Sequence, residues 1–335
     1  MRKPFFLVAA LFFSLLFLAG TIQAAPIVIK IGDSTPKSFS YYAAFVAFEK
    51  EVEQKTGGKV DIQYFGEGVL GDQKTLMEST MMGAIQMVTI PSSVGQNWVP
   101  ELKVFTLPFV WPGYDVLRRF LDGSEGEKLS KLWEKHNLVN LGWGYTGNIG
   151  IQNRKRAIKD PEDMKGLKIR TMQDPIMVDT INAMGGMGVA MGLGELYSAV
   201  QQGVLDGIST SPQLLHSLKI FEVAKQYSAM DMHYTPACTL VNINFWKSLP
   251  ADIQNAMKEA FKNWVRINDD YFRDPSLPTS DQTIFNIYKE KGVTITQPNL
   301  PLFKKMTAPV VKKYRQQIGP QFVDGVLNST GYKLE

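Results

Sequence analysis

The sequence contains one cysteine and three histidines among 335 residues. A single thiol cannot form an internal disulfide or a cysteine zinc site, so we predict that Cys238 is a buried small apolar side chain. The histidines, His136, His216 and His233, lie too far apart in sequence to form a local metal-binding motif. The sequence therefore predicts neither a disulfide scaffold nor a metal or other cofactor.

The common enzyme motifs are also missing. There is no P-loop, no G-x-S-x-G and no H-E-x-x-H. Gly32-Asp33-Ser34 does resemble the nucleophile block of GDS-type esterases, a family that also needs a C-terminal D-x-x-H pair to activate the serine. No histidine follows His233. We therefore favour a non-enzymatic protein and keep a secreted esterase using Ser34 as an alternative.

Excess charge and sequence repeats are absent as well. Beyond residue 24 the chain carries 34 Lys and Arg against 32 Asp and Glu. Near-neutrality is not typical of nucleic-acid binding, so we predict no nucleic-acid partner.

Since a single core rarely grows beyond about 250–300 residues, the length predicts two lobes.

The sequence has one long apolar run, at residues 5–19. Two cations precede it, and polar and small residues lead from it to Ala24. This is the layout of a secretory signal peptide, and the run is shorter than the roughly 18–20 residues that span a membrane. We predict a signal peptide at 1–24, cleavage near Ala24 and a periplasmic protein, with an uncleaved anchor as the alternative.

Two segments alternate between strand and helix patterns. Strands are predicted at 27–32, 60–64, 86–90, 138–142, 167–171, 188–191 and 205–209, with helices at about 73–84, 175–184 and 195–202. This order predicts α/β lobes with largely parallel sheets, which bind ligands beyond the carboxyl ends of their strands. A cleft between two such lobes is a common ligand site.

The clearest helical pattern covers residues 248–266. Apolar side chains recur on one face, and we interpret this stripe as core: Ile253, Met257, Phe261, Trp264 and Val265.

Three blocks occur in order along the chain: PEDMKGLKIR at 161–170, ELYSAVQQGVLDG at 195–207 and FWKSLPADIQ at 245–254. With Gly71-Asp72 and Leu107-Pro108-Phe109, they resemble the periplasmic solute-binding proteins of TRAP transporters, the DctP-like family. The resemblance covers nearly all of the chain beyond residue 24.

The resemblance implies a two-lobed, type II-like periplasmic-binding-protein fold. Its lobes are joined by crossing strands and a long connecting helix, which we place at about residues 250–272, with the ligand in the interlobe cleft. We predict lobe I from residues 25–148 plus about 236–272, and lobe II from 149–235 plus about 273–335. We expect a monomer.

Arg170 is the central candidate for ligand binding. A guanidinium is a planar fork that can bind both oxygens of a carboxylate, and the resemblance implies this role at the end of a strand. Its position alone also fits a surface ion pair with Asp163 or Glu162. Candidate hydrogen-bond partners for the same ligand are Thr210, Gln173, Ser34 and Ser92.

Several positions depart from members of the family that bind acidic sugars. Gly150 stands where those members carry a second cleft arginine, Thr210 where they carry an asparagine, and Pro91 where an acidic residue is often seen. We infer a ligand with one carboxylate and a less polar body.

The aromatic stretch that ends in Asn148 follows the strand predicted at 138–142. Trp143 and Tyr145 could stack against the ligand body, with core packing an equal alternative. We include Asn148 with them among the ligand-binding candidates.

The functional prediction is an exported receptor that captures a small organic monocarboxylate, with an aromatic or apolar body. The resemblance implies a partner transporter of two membrane subunits, driven by an ion gradient. Two alternatives share the fold class: a binding protein for an ATP-driven importer, and a receptor that feeds a sensor kinase.

Overall fold

The computed structural model describes residues 25–334, so the predicted signal peptide lies outside the described residues. The described chain contains eleven strands in two sheets. In chain order they are β1 Ile27–Gly32, β2 Val60–Phe65, β3 Met87–Pro91, β4 Leu138–Asn148, β5 Gly150–Asn153, β6 Lys168–Thr171, β7 Met187–Ala190, β8 Gly207–Thr210, β9 Gln226–Ser228, β10 Tyr234–Asn242 and β11 Thr294–Thr296.

Helices cover both sheets. In chain order the α-helices of residues 25–334 are α1 Ser40–Thr56, α2 Gln73–Met82, α3 Ser92–Gly95, α4 Tyr114–Leu121, α5 Ser124–Leu132, α6 Pro175–Ala183, α7 Leu196–Gln201, α8 Pro212–Ser217, α9 Ile243–Ser248, α10 Ala251–Arg273, α11 Asp281–Glu290, α12 Leu300–Ile318 and α13 Pro320–Thr330. Short 3₁₀ helices occur at Pro100–Thr106, Trp133–His136, Pro161–Met164 and Ile220–Glu222. No helix in this described part is both long and apolar enough to cross a bilayer.

The first sheet has the strand order β2-β1-β3-β10-β4. Strand β1 runs parallel to β2 and β3, whereas β10 is antiparallel to β3 and β4. We call this sheet, with the helices packed on it, lobe I. Cys238 is fully buried in β10, as predicted.

The predicted long helix is α10, and it packs against α1 and β4. Its stripe is core as predicted, since Phe261 and Trp264 are buried and stack with ring centroids 4.8 Å apart. Strand β4 allows this approach through its glycines, because an added Cβ at Gly144 would lie 2.6 Å from Trp264. Strand β4 extends to Asn148, so the aromatic stretch at 143–148 is part of this strand and not a segment that follows it.

The second sheet has the order β11-β9-β5-β8-β6-β7, and we call it, with its helices, lobe II. Strand β6 is parallel to β7 and β8, and β5 is antiparallel to β8 and β9. Both sheets are thus mixed, and the sequence analysis missed the strands β5, β9, β10 and β11.

Two chain segments cross between the sheets side by side. Strand β4 passes through Ile149 into β5, and β9 leads through residues 229–233 into β10. The two crossings are hydrogen-bonded to each other, from Ile149 N to His233 O at 2.9 Å and from Met232 N to Ile149 O at 3.2 Å. A third crossing follows α10. Paired crossing segments of this kind leave a cleft between the lobes that can open about them.

Candidate ligand-binding cleft

An inner cavity of about 30 Å³ lies between the lobes, at the carboxyl ends of strands from both sheets. Lobe I contributes Tyr41 and Pro91 to its lining, and lobe II contributes Met172 and Thr210. The cavity therefore lies where the α/β pattern predicts a ligand.

An outer cavity of about 430 Å³ continues from the inner one, because Gln73 and Leu193 line both. Its charged lining residues are Glu67 and Asp72, both acidic and both from lobe I. The Asp72 carboxylate also accepts a hydrogen bond from Thr75 N and caps α2, which lowers its pKa. The approach to the inner cavity is thus negative on its lobe I side.

Arg170 lies on β6 and is 2% exposed. Its Nε donates to Met191 O at 2.8 Å, and its buried Nη1 has no hydrogen-bond partner within the described chain. No carboxylate of residues 25–334 forms an ion pair with the guanidinium. Burial lowers the pKa of Arg170 to about 9, so the group remains cationic at neutral pH. An unpaired buried cation of this kind is suited to an anion supplied from outside.

The surface ion pair considered for Arg170 does not form. Asp163 instead accepts hydrogen bonds from the backbone N–H groups of Lys159 and Asp160 at 2.8 and 3.0 Å, which lowers its pKa. It completes a capping box at the start of a 3₁₀ helix, remote from the buried face of β6.

The four predicted hydrogen-bond partners have different positions. Thr210 lines the inner cavity, while Ser34 and Gln173 line the outer one. Ser92 is fully buried directly after Pro91 and belongs to the lining of neither cavity. The hydroxyls of Ser34 and Ser92 have no hydrogen-bond partner among the described residues.

Trp143 and Tyr145 lie in the lobe I core and line neither cavity. The Trp143 ring is 6.0 Å from that of Phe105, and the Tyr145 ring is 5.0 Å from that of Phe272. The backbone of Tyr145 is fixed by Asn268, whose side chain bonds both its N–H and its carbonyl. The suggested stacking on a ligand is therefore corrected, because both rings are already enclosed by core side chains.

Asn148 is engaged at the crossing segments. Its amide donates to the Asp231 carboxylate, and Asp231 lies in the loop between β9 and β10. This bond ties the end of β4 to the second crossing, so the geometry favours a structural role for Asn148 over ligand contact.

Two contributions to the cleft were missed by sequence reasoning. Tyr41 was not among the predicted candidates, yet its hydroxyl is buried without a partner among the described residues and its side chain lines the inner cavity. Met172 accepts a hydrogen bond from Ser93 Oγ at 3.1 Å, which joins the two lobes beside that cavity. The apolar period of a helix or strand shows which of its faces is buried, but it does not show which residues pack against that face.

Neither esterase chemistry nor a metal centre is assembled in the described part of the chain. The Ser34 hydroxyl has no base within hydrogen-bond distance, and an unassisted hydroxyl is a weak nucleophile. Residues 25–334 contain no group of three or more His, Cys, Asp or Glu side chains placed to hold a metal ion.

The sequence and the fold are similar to those of known solute-binding proteins. Residues 31–317 match the family described as bacterial extracellular solute-binding protein, family 7, or DctP. A solute-binding protein of Verminephrobacter eiseniae is 31% identical over 297 residues, which cover 88% of this chain and 87% of that protein.

Two solved structures show the same architecture over almost their whole length. A TRAP periplasmic solute-binding protein of Chromohalobacter salexigens with bound D-glucuronate has a TM-score of 0.85 at 26% identity, covering 91% of this chain and all of that one. Another, from Bordetella, with density assigned to pantoate, also has a TM-score of 0.85 at 26% identity, covering 90% of this chain and 99% of that one. These similarities confirm the predicted two-lobed α/β fold.

Proposed function

Because the chain belongs to the DctP family of bacterial extracellular solute-binding proteins, we propose that it is a TRAP-type receptor that holds a small monocarboxylate between its lobes, with Arg170 as the carboxylate ligand. The observation that carries the proposal is the buried guanidinium, whose Nη1 has no partner among residues 25–334. A carboxylate would supply the missing charge and acceptors, and charge-assisted bonds of this kind are worth about 1.5–3 kcal/mol each.

The rest of the cleft favours a ligand with only one carboxylate. The inner cavity has no charged side chain in its lining, and the outer one has only Glu67 and Asp72. A second carboxylate would find no cation in either cavity and would be repelled by these two groups. D-Glucuronate and pantoate, bound by the two similar structures, carry one carboxylate each.

The remaining parts of the proposal follow from family membership and the predicted leader. TRAP solute-binding proteins are periplasmic. We propose that residues 1–24 direct the export of this chain and that it acts as a monomer. We further propose that the lobes close on the ligand about the crossing segments at 149 and 229–233, and that the protein delivers the ligand to the membrane subunits of a TRAP transporter. The assignment of residues 273–335 to lobe II also remains a proposal. Helix α12 in this segment packs on α6 of lobe II and on the 3₁₀ helix Pro100–Thr106 of lobe I.

A thermal-shift panel tests the ligand class. We expect D-glucuronate or pantoate to raise the melting temperature more than succinate at equal concentration and ionic strength, because a ligand that binds only the folded state stabilises it. A larger shift with succinate would contradict the single-carboxylate site.

The esterase alternative makes a separate prediction. We expect no hydrolysis of p-nitrophenyl acetate above the buffer rate, measured by absorbance, and the same rate for Ser34→Ala. Turnover that is present in the unmodified protein and lost in Ser34→Ala would show that Ser34 is a nucleophile.

A further inference from the structure

The segment that follows β7, residues 191–194, lies at the boundary of the two cavities of the cleft. Gly192, Leu193 and Gly194 line the outer cavity, and Leu193 also lines the inner one. From lobe I, Gln73 lines both cavities as well. The passage from the outer to the inner cavity is therefore flanked by Leu193 on lobe II and by Gln73 on lobe I.

Leu193 places an apolar side chain at this passage. The side chain is partly buried and packs against the lobe II cluster that contains Leu196 and Val200, and against the larger cluster that contains the lobe I core. The Leu193 carbonyl accepts a hydrogen bond from Leu196 N at 3.3 Å, where α7 begins. An apolar side chain in this position opposes the entry of a hydrated anion, because the anion must shed water to move past it.

Glycines flank Leu193 on both sides. Gly192 and Gly194 are exposed, and a Cβ added at either position would meet no heavy atom within 4 Å. The space beside both residues is thus open, and glycine has more conformational freedom than any other residue. The segment can therefore move without disturbing the packing of either lobe.

The first residue of the segment is bonded to Arg170. Met191 O accepts a hydrogen bond from Arg170 Nε at 2.8 Å, and Met191 N donates to Thr171 O at 3.3 Å. The guanidinium, whose Nη1 has no partner within residues 25–334, is thus held beside the segment that lines the cavities. A carboxylate bound to Arg170 would share the guanidinium with Met191 O, so ligand binding and the position of residues 191–194 are coupled.

We propose that residues 191–194 form a lid in which Leu193 gates the passage to the inner cavity, and that the Met191 carbonyl links closure of this lid to the anion held by Arg170. This inference rests on the proposed function. It concerns the rates at which a ligand enters and leaves the cleft, whereas the proposed function concerns the group that holds the ligand there.

Alanine at the flanking glycines tests the mobility of the lid. The unmodified protein, Gly192→Ala and Gly194→Ala are mixed with D-glucuronate or pantoate and followed by stopped-flow tryptophan fluorescence. Alanine removes backbone freedom that is worth about 2–5-fold in the population of the open lid, so association and dissociation should both slow by that factor at unchanged affinity. Gly325→Ala is the matched control, since Gly325 is also exposed with open space beside it but lies on α13, and both rates should stay unchanged.

Leu193→Ala tests the gate in the same experiment. A smaller side chain opens the passage in both directions, so association and dissociation should both become faster while the affinity stays within about twofold of its original value. A side chain that only contacted the bound ligand would give a different result, since its loss acts mainly on dissociation.

The bond to Arg170 is tested without any ligand, by amide hydrogen exchange. Arg170→Met removes the hydrogen bond to Met191 O. The amides of Met191 and Leu196, whose hydrogen bonds flank the lid, should therefore exchange faster in the unliganded variant than in the unmodified protein. Exchange in the strands of lobe I should stay the same.

Three results would overturn the inference: unchanged rates in both glycine variants, a dissociation rate that rises alone in Leu193→Ala, or unchanged amide exchange in unliganded Arg170→Met. Failure of the proposed function gives a different result, since neither acid would then bind, or both would bind Arg170→Met as tightly as the unmodified protein. The exchange measurement needs no ligand, so it decides in that case whether the lid is linked to Arg170.

Discussion

Arg170→Met is expected to weaken binding of the best monocarboxylate in the panel by about 2–3 kcal/mol, or roughly 30–150-fold, measured by isothermal titration calorimetry. The substitution keeps much of the side-chain length and removes the charge and all five donors. Arg170 itself is buried outside the lining of both cavities, and the described residues that line them include no cation, so no group in the linings can replace the guanidinium.

The same substitution should stabilise the unliganded protein. Arg170 is buried with no counter-ion in the described part of the chain, so folding removes a charge from water, and the hydrogen bond to the Met191 carbonyl compensates for this in part. Replacing such a charge by an apolar side chain of similar size is often stabilising, by about 1–4 kcal/mol. Urea unfolding should therefore show a higher midpoint for Arg170→Met in the absence of ligand.

Arg118→Met is the matched control in lobe I. Arg118 has compensating partners, with Nη atoms 3.1 Å from Trp143 O and 3.8 Å from the Asp269 carboxylate. Its loss should lower stability and leave ligand affinity unchanged. An unchanged ligand affinity in Arg170→Met would exclude Arg170 from the site. A lower stability of unliganded Arg170→Met would show that the buried charge does not destabilise the folded protein.

Asp174→Asn should stabilise the protein at pH 7.5 and about half as much at pH 5. Asp174 follows β6, is 1% exposed and caps α6 by accepting a hydrogen bond from Ile176 N at 2.7 Å. Burial raises its pKa to about 6, against about 3.9 for an unfolded chain. The folded state therefore binds the proton more tightly.

The direction of the pH effect follows from linkage. The favourable contribution of Asp174 is complete below about pH 4 and is lost as the pH rises through 6, and a shift of about two pKa units corresponds to about 3 kcal/mol. Asparagine is neutral at every pH and remains a good N-cap. We expect Asp174→Asn to exceed the unmodified protein by about 2–3 kcal/mol in unfolding free energy at pH 7.5, measured by urea titration at both pH values.

Asp163→Asn provides the control for this pH dependence. Hydrogen bonds from the backbone lower the pKa of Asp163, so its titration lies below the window tested. Its substitution should change stability by a similar amount at pH 5 and pH 7.5. An Asp174→Asn effect equally independent of pH would show that Asp174 does not carry a raised pKa in the folded protein.

The sequence predicted the parallel strands β1, β2 and β3 of lobe I, the parallel strands β6, β7 and β8 of lobe II, and the long helix α10, because these elements have apolar patterns of the expected period or length. The antiparallel strand β10 gave no such signal. All its residues after Tyr234 are buried, so it lacks alternation, and Pro236 further obscures the pattern. Short β5 was missed for a related reason, since its four residues are all buried. These two strands carry the chain between the lobes, so the crossing itself could be expected only from the family resemblance.

By itself, the sequence determined that the chain forms α/β lobes and that an arginine stands at the end of a lobe II strand, because apolar periodicity and ordered motifs are local properties. Tertiary structure decided that Arg170 has no counter-ion among residues 25–334 and that Trp143 and Tyr145 are enclosed in the core. Desolvation and hydrogen bonding depend on groups distant in sequence, such as Asn268 beside Tyr145, and these are brought together only when the two sheets and their helices pack.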